Sequence, residues 1–279
     1  MLEGLKKDWA YKDFHFRDIR KPEYRHLFLM LFWPAYLFVF FLTERVTITG
    51  GYTMVHCALD DKIPFCEYFI VPYAIWYPFW VLMVLYTLGF EVPVFIRLMR
   101  YFMVTLTISL IIYIIWPTGQ DMWPKQFPRD NFFVWLTKLI YSLDRPTDVC
   151  PSEHVSTAFG VVFAAAASKR FSGKVALTLC WLEAILVAVG VAFVKQHSVI
   201  DVVAAIPVIL IGYFTSFHKW KRDDDTGDVD VKKTLKKTEA VLKQESEQEQ
   251  EIIEQKNEQG QEIIEQEGRR IHGAWVCRN

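Results

Sequence analysis

The stretch FIVPYAIWYPFWVLMVLYTLGF, residues 69–90, decides the fold, because it runs for 22 residues without a charged side chain. A helix of about 20 apolar residues spans the hydrocarbon core of a bilayer. Hydrophobic residues make up 52% of the 279-residue chain, more than an ordinary soluble domain carries, and they are grouped in blocks of this kind. The sequence therefore predicts an integral membrane protein. The alternative is a soluble helical protein whose helices are all buried.

Five further segments share this apolar composition, and the shorter ones would need flanking residues to reach across a bilayer. They are residues 27–42, 101–116, 155–168, 175–194 and 199–217. The predicted fold class is all-α, an integral membrane bundle of six transmembrane helices with a long outer loop and a charged cytoplasmic tail. The predicted domains are a leader (1–26), a membrane domain (27–218) and the tail (219–279).

Positive charge sets the predicted orientation, because cytoplasmic loops of membrane proteins carry an excess of Lys and Arg. The leader carries seven of them: Lys6, Lys7, Lys12, Arg17, Arg20, Lys21 and Arg25. Further basic residues follow the second and fourth segments: Arg97, Arg100, Lys169, Arg170 and Lys174. We expect no cleaved signal peptide, since the leader lacks a short apolar core with a cleavage site. Six spans then place both termini in the cytoplasm.

The tail is rich in Glu and Gln and repeats QEIIEQ at 250–255 and 261–266. A period of eleven residues can support a right-handed coiled coil, but Gly260 interrupts it. A solvated, partly helical or disordered tail is the other interpretation. The tail could serve self-association or a protein partner. For the rest of the chain, the expected partners are the bilayer and a membrane lipid. We expect no nucleic-acid partner.

Three outer segments, 44–67, 117–153 and 195–198, bring polar residues to one face of the predicted bundle. Cys57 and Cys66 both lie in the first, as a disulfide or as two free thiols. In the third, His197 and Asp201 are spaced i, i+4 and share one face of a helix. Such an Asp can fix the tautomer of the histidine and leave Nε2 as a nucleophile. A merely structural hydrogen bond is the alternative.

The second outer segment supplies cations, a helix start and another histidine. Lys138 and Arg145 are seven residues apart, so a helix would place them on one side, facing a phosphoryl group. Ordinary interfacial cations are the alternative. Ser152 is a good N-cap for the fourth span, and a helix start favours an anion. His154 beside it could protonate a leaving alkoxide, or it could be an interfacial histidine.

Together these residues give K-x6-R-P, P-S-x-H and H-x3-D on alternate loops of six helices. This set resembles the type 2 phosphatidic acid phosphatase superfamily, over about residues 138–201. The resemblance implies that His197 attacks phosphorus and forms a phosphohistidine, that Asp201 orients it, and that His154 protonates the leaving group. It implies neither metal nor other cofactor. The implied phosphate ligands are Lys138, Arg145, Ser152 and the backbone of Glu153.

Two positions depart from the pattern of that superfamily. Glu153 stands where a Gly is usual, and it would repel a phosphate unless it points away. Gly190 and Val191 stand where Ser and Arg are usual, so Lys195 is a candidate replacement for the missing cation. The sequences around His154 and His197 look more like the branch with inositolphosphorylceramide and sphingomyelin synthases.

Four functions follow as hypotheses. The first is a lipid phosphatase that acts from the outer face on phosphatidic acid or a polyprenyl pyrophosphate. The second is a phosphotransferase that moves a phospho-headgroup from one lipid to another alcohol. The third is a lipid-binding membrane scaffold without activity, which the two departures favour. The fourth is a transporter, because Pro72, Pro78 and Pro207 interrupt the spans, although no inverted repeat is visible.

Overall fold

A computed structural model describes residues 9–12, 14–45 and 51–218 of the chain. The predicted tail, with its QEIIEQ repeat, lies outside the described residues. Within them the secondary structure is mostly helical, as predicted, with one short pair of strands. The helices are Phe32–Thr43 (α1), Ile70–Phe90 (α2), Val92–Ile115 (α3), Phe132–Leu143 (α4), Glu153–Ala167 (α5), Lys174–Phe193 (α6) and Val199–Ser216 (α7). A 3-10 helix, Pro22–Leu31, leads directly into α1.

Five helical stretches in the described part of the chain are long and apolar enough to cross a membrane. They are Pro22–Thr43, Glu67–Phe90, Val92–Ile115, Lys174–Phe193 and Val199–Ser216. Helix α5, the fourth predicted span, has 15 residues and is shorter than these. Length and composition thus support membrane-spanning helices. They do not support the predicted number of six spans.

Helix α3 begins at Val92, nine residues before the predicted segment, and so includes Arg97 and Arg100. The helix tolerates Arg97 because its Nη1 donates a hydrogen bond to the backbone oxygen of Ser216, at 3.0 Å. That bond links the start of α3 to the end of α7. Hydropathy alone excluded these turns, since a charge lowers the average of its window.

Helix α5 is enclosed by α2, α3, α6 and α7. Small side chains allow this close packing, as is usual between membrane helices. A Cβ atom on Gly160 would lie 2.6 Å from the Tyr101 ring of α3. Other large apolar side chains point away from the bundle, and Val175 of α6 is 76% exposed. Small residues of α5 therefore pack against large buried rings such as Tyr101, and many further large apolar side chains cover the outer surface.

Hydrogen bonds tie the connecting segments at both ends of the bundle. At one end, Glu91 accepts from the Ser168 hydroxyl at 2.9 Å and the Lys169 amide at 3.0 Å. At the other, the fully buried Glu67 accepts two bonds from Arg129, at 2.5 and 2.9 Å. These carboxylates fix the turns between helices.

The segments at the Glu67 end pair with one another. Strand β1 (Thr53–Met54) lies parallel to β2 (Thr118–Gly119), and Gly119 forms a further antiparallel bridge to Thr147. Cys57 and Cys66 are free thiols, so the structure has no disulfide between them. These segments pack beside the first residues of α5 and α7, where the candidate site lies.

Candidate active site

The starts of α5 and α7 are joined by one backbone hydrogen bond, from the Ser152 amide to the Asp201 oxygen at 3.1 Å. Helix α7 begins with a capping box, in which Ser198 caps the helix and its amide donates to the Asp201 carboxylate at 2.9 Å. This arrangement fixes the backbone on both sides of His197. It also brings His197 next to His154, in the first turn of α5.

His197 contacts both predicted neighbours. Its Nδ1 lies 3.2 Å from Oδ2 of Asp201 and 3.0 Å from the backbone oxygen of Val149. Its Nε2 lies 3.0 Å from Nδ1 of His154. Two acceptors at Nδ1 favour the tautomer with hydrogen there, which leaves the Nε2 lone pair directed at His154. His197 is 5% exposed and Asp201 is fully buried.

His154 has a carboxylate of its own, which was not predicted from the sequence. Its Nε2 lies 2.6 Å from the Tyr73 hydroxyl, which donates to Oδ2 of Asp144 at 2.5 Å. The same Asp144 oxygen is 3.5 Å from Nε2 of His154. The centre of the Trp76 ring lies 4.3 Å from the centre of the imidazole, so the two rings are in contact. The pair of histidines is thus held between Asp201 and Asp144.

Gln196 completes the environment of Asp144. Its side-chain amide donates to the Asp144 carboxylate at 3.1 Å, and its own oxygen accepts from Nε1 of Trp123 at 2.8 Å. Burial raises the pKa of Asp144, but the hydrogen bonds and charge of His154 and the Tyr73 hydroxyl outweigh it, and the pKa is lowered. Asp144 therefore stays an anion beside His154.

A cavity of about 40 Å³ lies against the two histidines. The charged side chains that line it are Arg145, Asp144, Asp148 and Glu153. The Tyr36 hydroxyl donates to Oε2 of Glu153, so this side chain turns toward the cavity and α1. The cavity thus combines two histidines, one guanidinium and three carboxyl groups.

The two cations of the K-x6-R-P motif do not share a helix face, so that expectation is wrong. Helix α4 ends at Leu143, because Arg145 precedes Pro146 and the residue before a proline is disfavoured in a helix. Arg145 lines the cavity. Lys138 is exposed, and its Nζ lies 5.0 Å from the centre of the Phe127 ring, outside the cavity lining.

The remaining predicted phosphate ligands differ in position. Ser152 is buried at the N-cap of α5, and its hydroxyl has no hydrogen-bond partner among the described residues. Glu153 lines the cavity through its side chain. Lys195 is directed elsewhere, since its Nζ donates to the backbone oxygens of Asp60 and Ile63 at 2.8 and 2.6 Å. Lys195 thus ties the segment before α2 to the turn before α7.

Comparisons with protein-family models, with curated proteins and with solved structures find no match to this chain. Its function has to be argued from the residues of the site.

Proposed function

We propose that this chain is a membrane lipid phosphatase that forms a phosphohistidine at His197. The observation that carries the proposal is the chain of contacts from Asp201 to His197 to His154, with distances of 3.2 and 3.0 Å. A nucleophile, the group that orients it and a proton donor in one line are what phosphoryl transfer to nitrogen requires. Burial of His197 also keeps water from competing for its lone pair.

The reaction has two steps with balanced proton transfers. Nε2 of His197 attacks phosphorus, the bond to the lipid oxygen breaks, and His154 gives its Nδ1 proton to that oxygen. His154 then takes a proton from water, whose oxygen attacks the phosphohistidine. The P–N bond breaks, inorganic phosphate leaves, and both histidines return to their starting states.

Substrate has to separate the two imidazole rings. Reacting atoms approach to about 3–3.5 Å before bond formation, so a phosphoryl group does not fit between nitrogens 3.0 Å apart. Arg145 at the cavity and the unpartnered hydroxyl of Ser152 are the proposed ligands of the phosphate, together with the backbone at Glu153. Lys138 and Lys195 are engaged elsewhere and are not included.

The proposed setting is a bilayer crossed six times, with α5 as the fourth span in chain order. Helix α5 is enclosed by four other helices, so it need not be as long or as apolar as a lipid-facing helix. Both termini would be cytoplasmic and the site extracytoplasmic. The substrate would be a lipid phosphomonoester or pyrophosphate, such as phosphatidic acid or a polyprenyl pyrophosphate, and no metal is needed in this mechanism.

A lipid phosphotransferase is the second candidate, and the charge of the cavity favours it. Three carboxyl groups and one guanidinium line the cavity, which is unfavourable for a dianionic phosphomonoester. A phosphodiester carries a single negative charge. In this case a lipid alcohol, in place of water, would attack the phosphohistidine.

The test uses the full chain, purified in detergent with EDTA and given labelled short-chain phosphatidic acid with or without a lipid alcohol. We expect inorganic phosphate from the wild type, none from His197→Ala, and an acid-labile phosphoenzyme in the wild type alone. Label on the alcohol would favour the transferase. If His197→Ala releases phosphate as fast as the wild type, a phosphohistidine at this position is excluded.

A further inference from the structure

An apolar groove lies toward the end of the bundle opposite the candidate active site. Tyr73, near the start of α2, contacts His154 of that site. The groove is lined instead by the second half of α2, from Phe79 to Phe90, together with two other segments. Its volume is about 920 Å³, within the range of about 300–1,000 Å³ that small-molecule sites commonly have. The groove can therefore hold a ligand that does not touch the histidines.

The leader and the turn between α5 and α6 form the walls on either side of α2. The Ala10 amide donates to the Gly89 oxygen at 2.9 Å. A Cβ atom on Gly89 would lie 2.5 Å from the Trp9 ring, so the missing side chain lets the leader lie directly against α2. In the turn, the Phe171 ring packs edge-on against Tyr86, with ring centres 4.8 Å apart. These contacts fix the walls, so the groove is already formed without a ligand.

The lining suits a hydrocarbon chain. No charged side chain lines the groove among the described residues. Both tyrosine hydroxyls of the lining are already engaged, since Tyr86 donates to Glu91 at 3.0 Å and the Tyr11 oxygen lies 2.6 Å from Nε2 of His26. A hydrocarbon chain needs no polar partner, whereas the hydroxyl of a sterol inside the groove would need one. An acyl chain is therefore the better fit.

The depth of the groove matches one leaflet of a bilayer. Phe79 and Phe90 are eleven residues apart in α2, which is a rise of about 16 Å along a helix. Half of a hydrocarbon core of about 30 Å is about 15 Å. Between these two residues, Leu82 and Leu85 are 62% and 51% exposed, so the groove opens sideways. A lipid can therefore place one chain in the groove without leaving its leaflet.

Positive charge lies at the mouth of the groove. Three exposed cations belong to the wall segments or adjoin them: Lys12, Arg170 and Lys174. Arg170 directly precedes Phe171, and its amide donates to the Glu91 carboxylate at 3.3 Å, which fixes its backbone at this end of α2. Cations at the level of the headgroups attract anionic lipids. The groove thus combines an apolar slot of one leaflet's depth with a basic rim.

We propose that this groove binds one acyl chain of an anionic phospholipid from the leaflet opposite the candidate active site, with the lipid phosphate beside Arg170. The chain of the lipid fills the space next to the Trp9 ring and so stabilises the contact between the leader and α2. The site is separate from the cavity at the histidines, and this inference does not depend on the proposed function.

The test measures lipid binding to the full chain, purified in detergent, by native mass spectrometry. The probes are phosphatidylglycerol and phosphatidylcholine with the same acyl chains, and cholesterol is added as a third probe. We expect one phosphatidylglycerol to bind about fivefold or more tightly than phosphatidylcholine, because the rim favours the anion. Neither phospholipid is a phosphomonoester, so the proposed substrate is not used.

Two variants locate the bound lipid. Leu85→Trp places a larger side chain in the groove and should remove the tight site. Ile111→Trp is its control, since Ile111 is similarly exposed, at 49%, but lies on α3 outside the groove lining. Arg170→Gln should remove most of the preference for phosphatidylglycerol. Lys125→Gln, which removes an exposed cation from the loop between α3 and α4, should keep it.

The outcomes decide the inference independently of catalysis. Equal dissociation constants for the two phospholipids would overturn it, as would tighter binding of cholesterol than of either. A tight site that survives in both Leu85→Trp and Arg170→Gln would also overturn it, since the lipid would then bind elsewhere. If His197→Ala loses phosphate release but keeps the tight site, the groove acts apart from the histidines, as inferred.

Discussion

At the scale of single residues, each histidine of the site is held by a carboxylate, but by a different route. Asp201 reaches His197 directly within one turn of α7. Asp144 reaches His154 mainly through the Tyr73 hydroxyl. A carboxylate beside an imidazole stabilises its protonated form, which is the form that a general acid needs. Asp144 is therefore a positioning residue that acts through His154.

Asp144→Asn should lower kcat by up to about 100-fold, because His154 loses the anion that favours its proton. The alkaline limb of the pH–rate profile should move to lower pH, since the proton donor would be lost at a lower pH. The measurement is the rate of phosphate release from pH 5 to 9 on the proposed lipid substrate.

Tyr73→Phe should shift the profile in the same direction by a smaller amount, because the 3.5 Å contact between Asp144 and His154 remains. A change in KM alone, with an unmoved profile, would contradict a role through His154. The exposed Asp130→Asn is the control for loss of one acidic charge.

The two carboxylates also explain what the sequence could and could not predict about the site. The His197–Asp201 contact follows from a spacing of four on a helix, so local geometry was sufficient. The contacts of Asp144 join α2, the end of α4 and α5, and no spacing in the chain encodes such a meeting. Lys138 was placed by extending a helix across Arg145–Pro146, where the proline rule already argued against it.

At the scale of elements, the segment before α2 holds the start of α7 through Asp60. Its carboxylate accepts from the Ser198 hydroxyl at 2.6 Å and the Val199 amide at 2.9 Å. Burial raises the pKa of Asp60, but these bonds and those from Cys57 outweigh it, and the pKa is lowered. The anion at this helix start is thus favoured by the fold.

This lowered pKa predicts an acid dependence of stability. A carboxyl with a lower pKa in the folded state stabilises the fold above its unfolded pKa of about 4, and loses this effect as pH falls through the folded value. Asp60→Asn should therefore lower the thermal midpoint most at neutral pH, and the difference from the wild type should shrink below about pH 4. Thermal unfolding in detergent from pH 3 to 7 measures it.

Asp61→Asn is the matched control. Asp61 is the next residue in the chain, its carboxylate is 70% exposed, and its one salt bridge among the described residues is to His56. Its midpoint should follow that of the wild type at every pH. A constant gap between Asp60→Asn and the wild type down to pH 3 would mean that Asp60 acts by shape and not by charge.

Close packing of α5 makes a second prediction at this scale. Gly160→Ala puts a methyl group 2.6 Å from the Tyr101 ring, which is fully buried and cannot turn away. We expect a loss of about 1–3 kcal/mol of stability, seen as a lower thermal midpoint in detergent. Gly173→Ala is the control, since no atom lies within 4 Å of its added carbon. Equal midpoints for both variants would show that α3 and α5 can move apart.

The helices were predictable to different degrees for physical reasons. Helices α2, α6 and α7 face lipid along one side, so nearly every position is apolar and the hydropathy bounds hold. Helix α5 is enclosed and built from small and polar residues, so its hydropathy is weaker and its length cannot be read as a span. The first turns of α3 were not predicted because they contain Arg97. Its charge lowers the hydropathy there, and its hydrogen bond to Ser216 is a tertiary contact that the local sequence does not reveal.

At the scale of the whole molecule, polarity is distributed as a bilayer requires. Large apolar side chains such as Leu82, Val175 and Phe214 are more than half exposed, while Glu67 and Asp201 are fully buried. In water such a surface would aggregate, whereas lipid solvates it. Glu67 pairs with Arg129, and Asp201 pairs with His197. This inversion supports a protein that is inserted in a membrane.

Whether α5 crosses the bilayer decides the topology, and two engineered cysteines on either side of it can answer this. The exposed Asp130 precedes α5 and the exposed Lys174 follows it. The amphipathic α4 also lies between them, but with 12 residues it is too short to span a bilayer of about 30 Å. If α5 crosses, the two positions lie on opposite sides.

The variants Asp130→Cys and Lys174→Cys are made in a chain whose five native cysteines are replaced by serine. In intact cells we expect a membrane-impermeant maleimide to label Asp130→Cys, and to label Lys174→Cys only after permeabilisation. Equal labelling of both variants in intact cells would mean that the chain crosses the membrane five times. The two termini would then lie on opposite sides of the membrane. That outcome would also contradict the structure, in which α5 runs from the end with the Ser152–Asp201 bond to the opposite end, where Ser168 donates to Glu91.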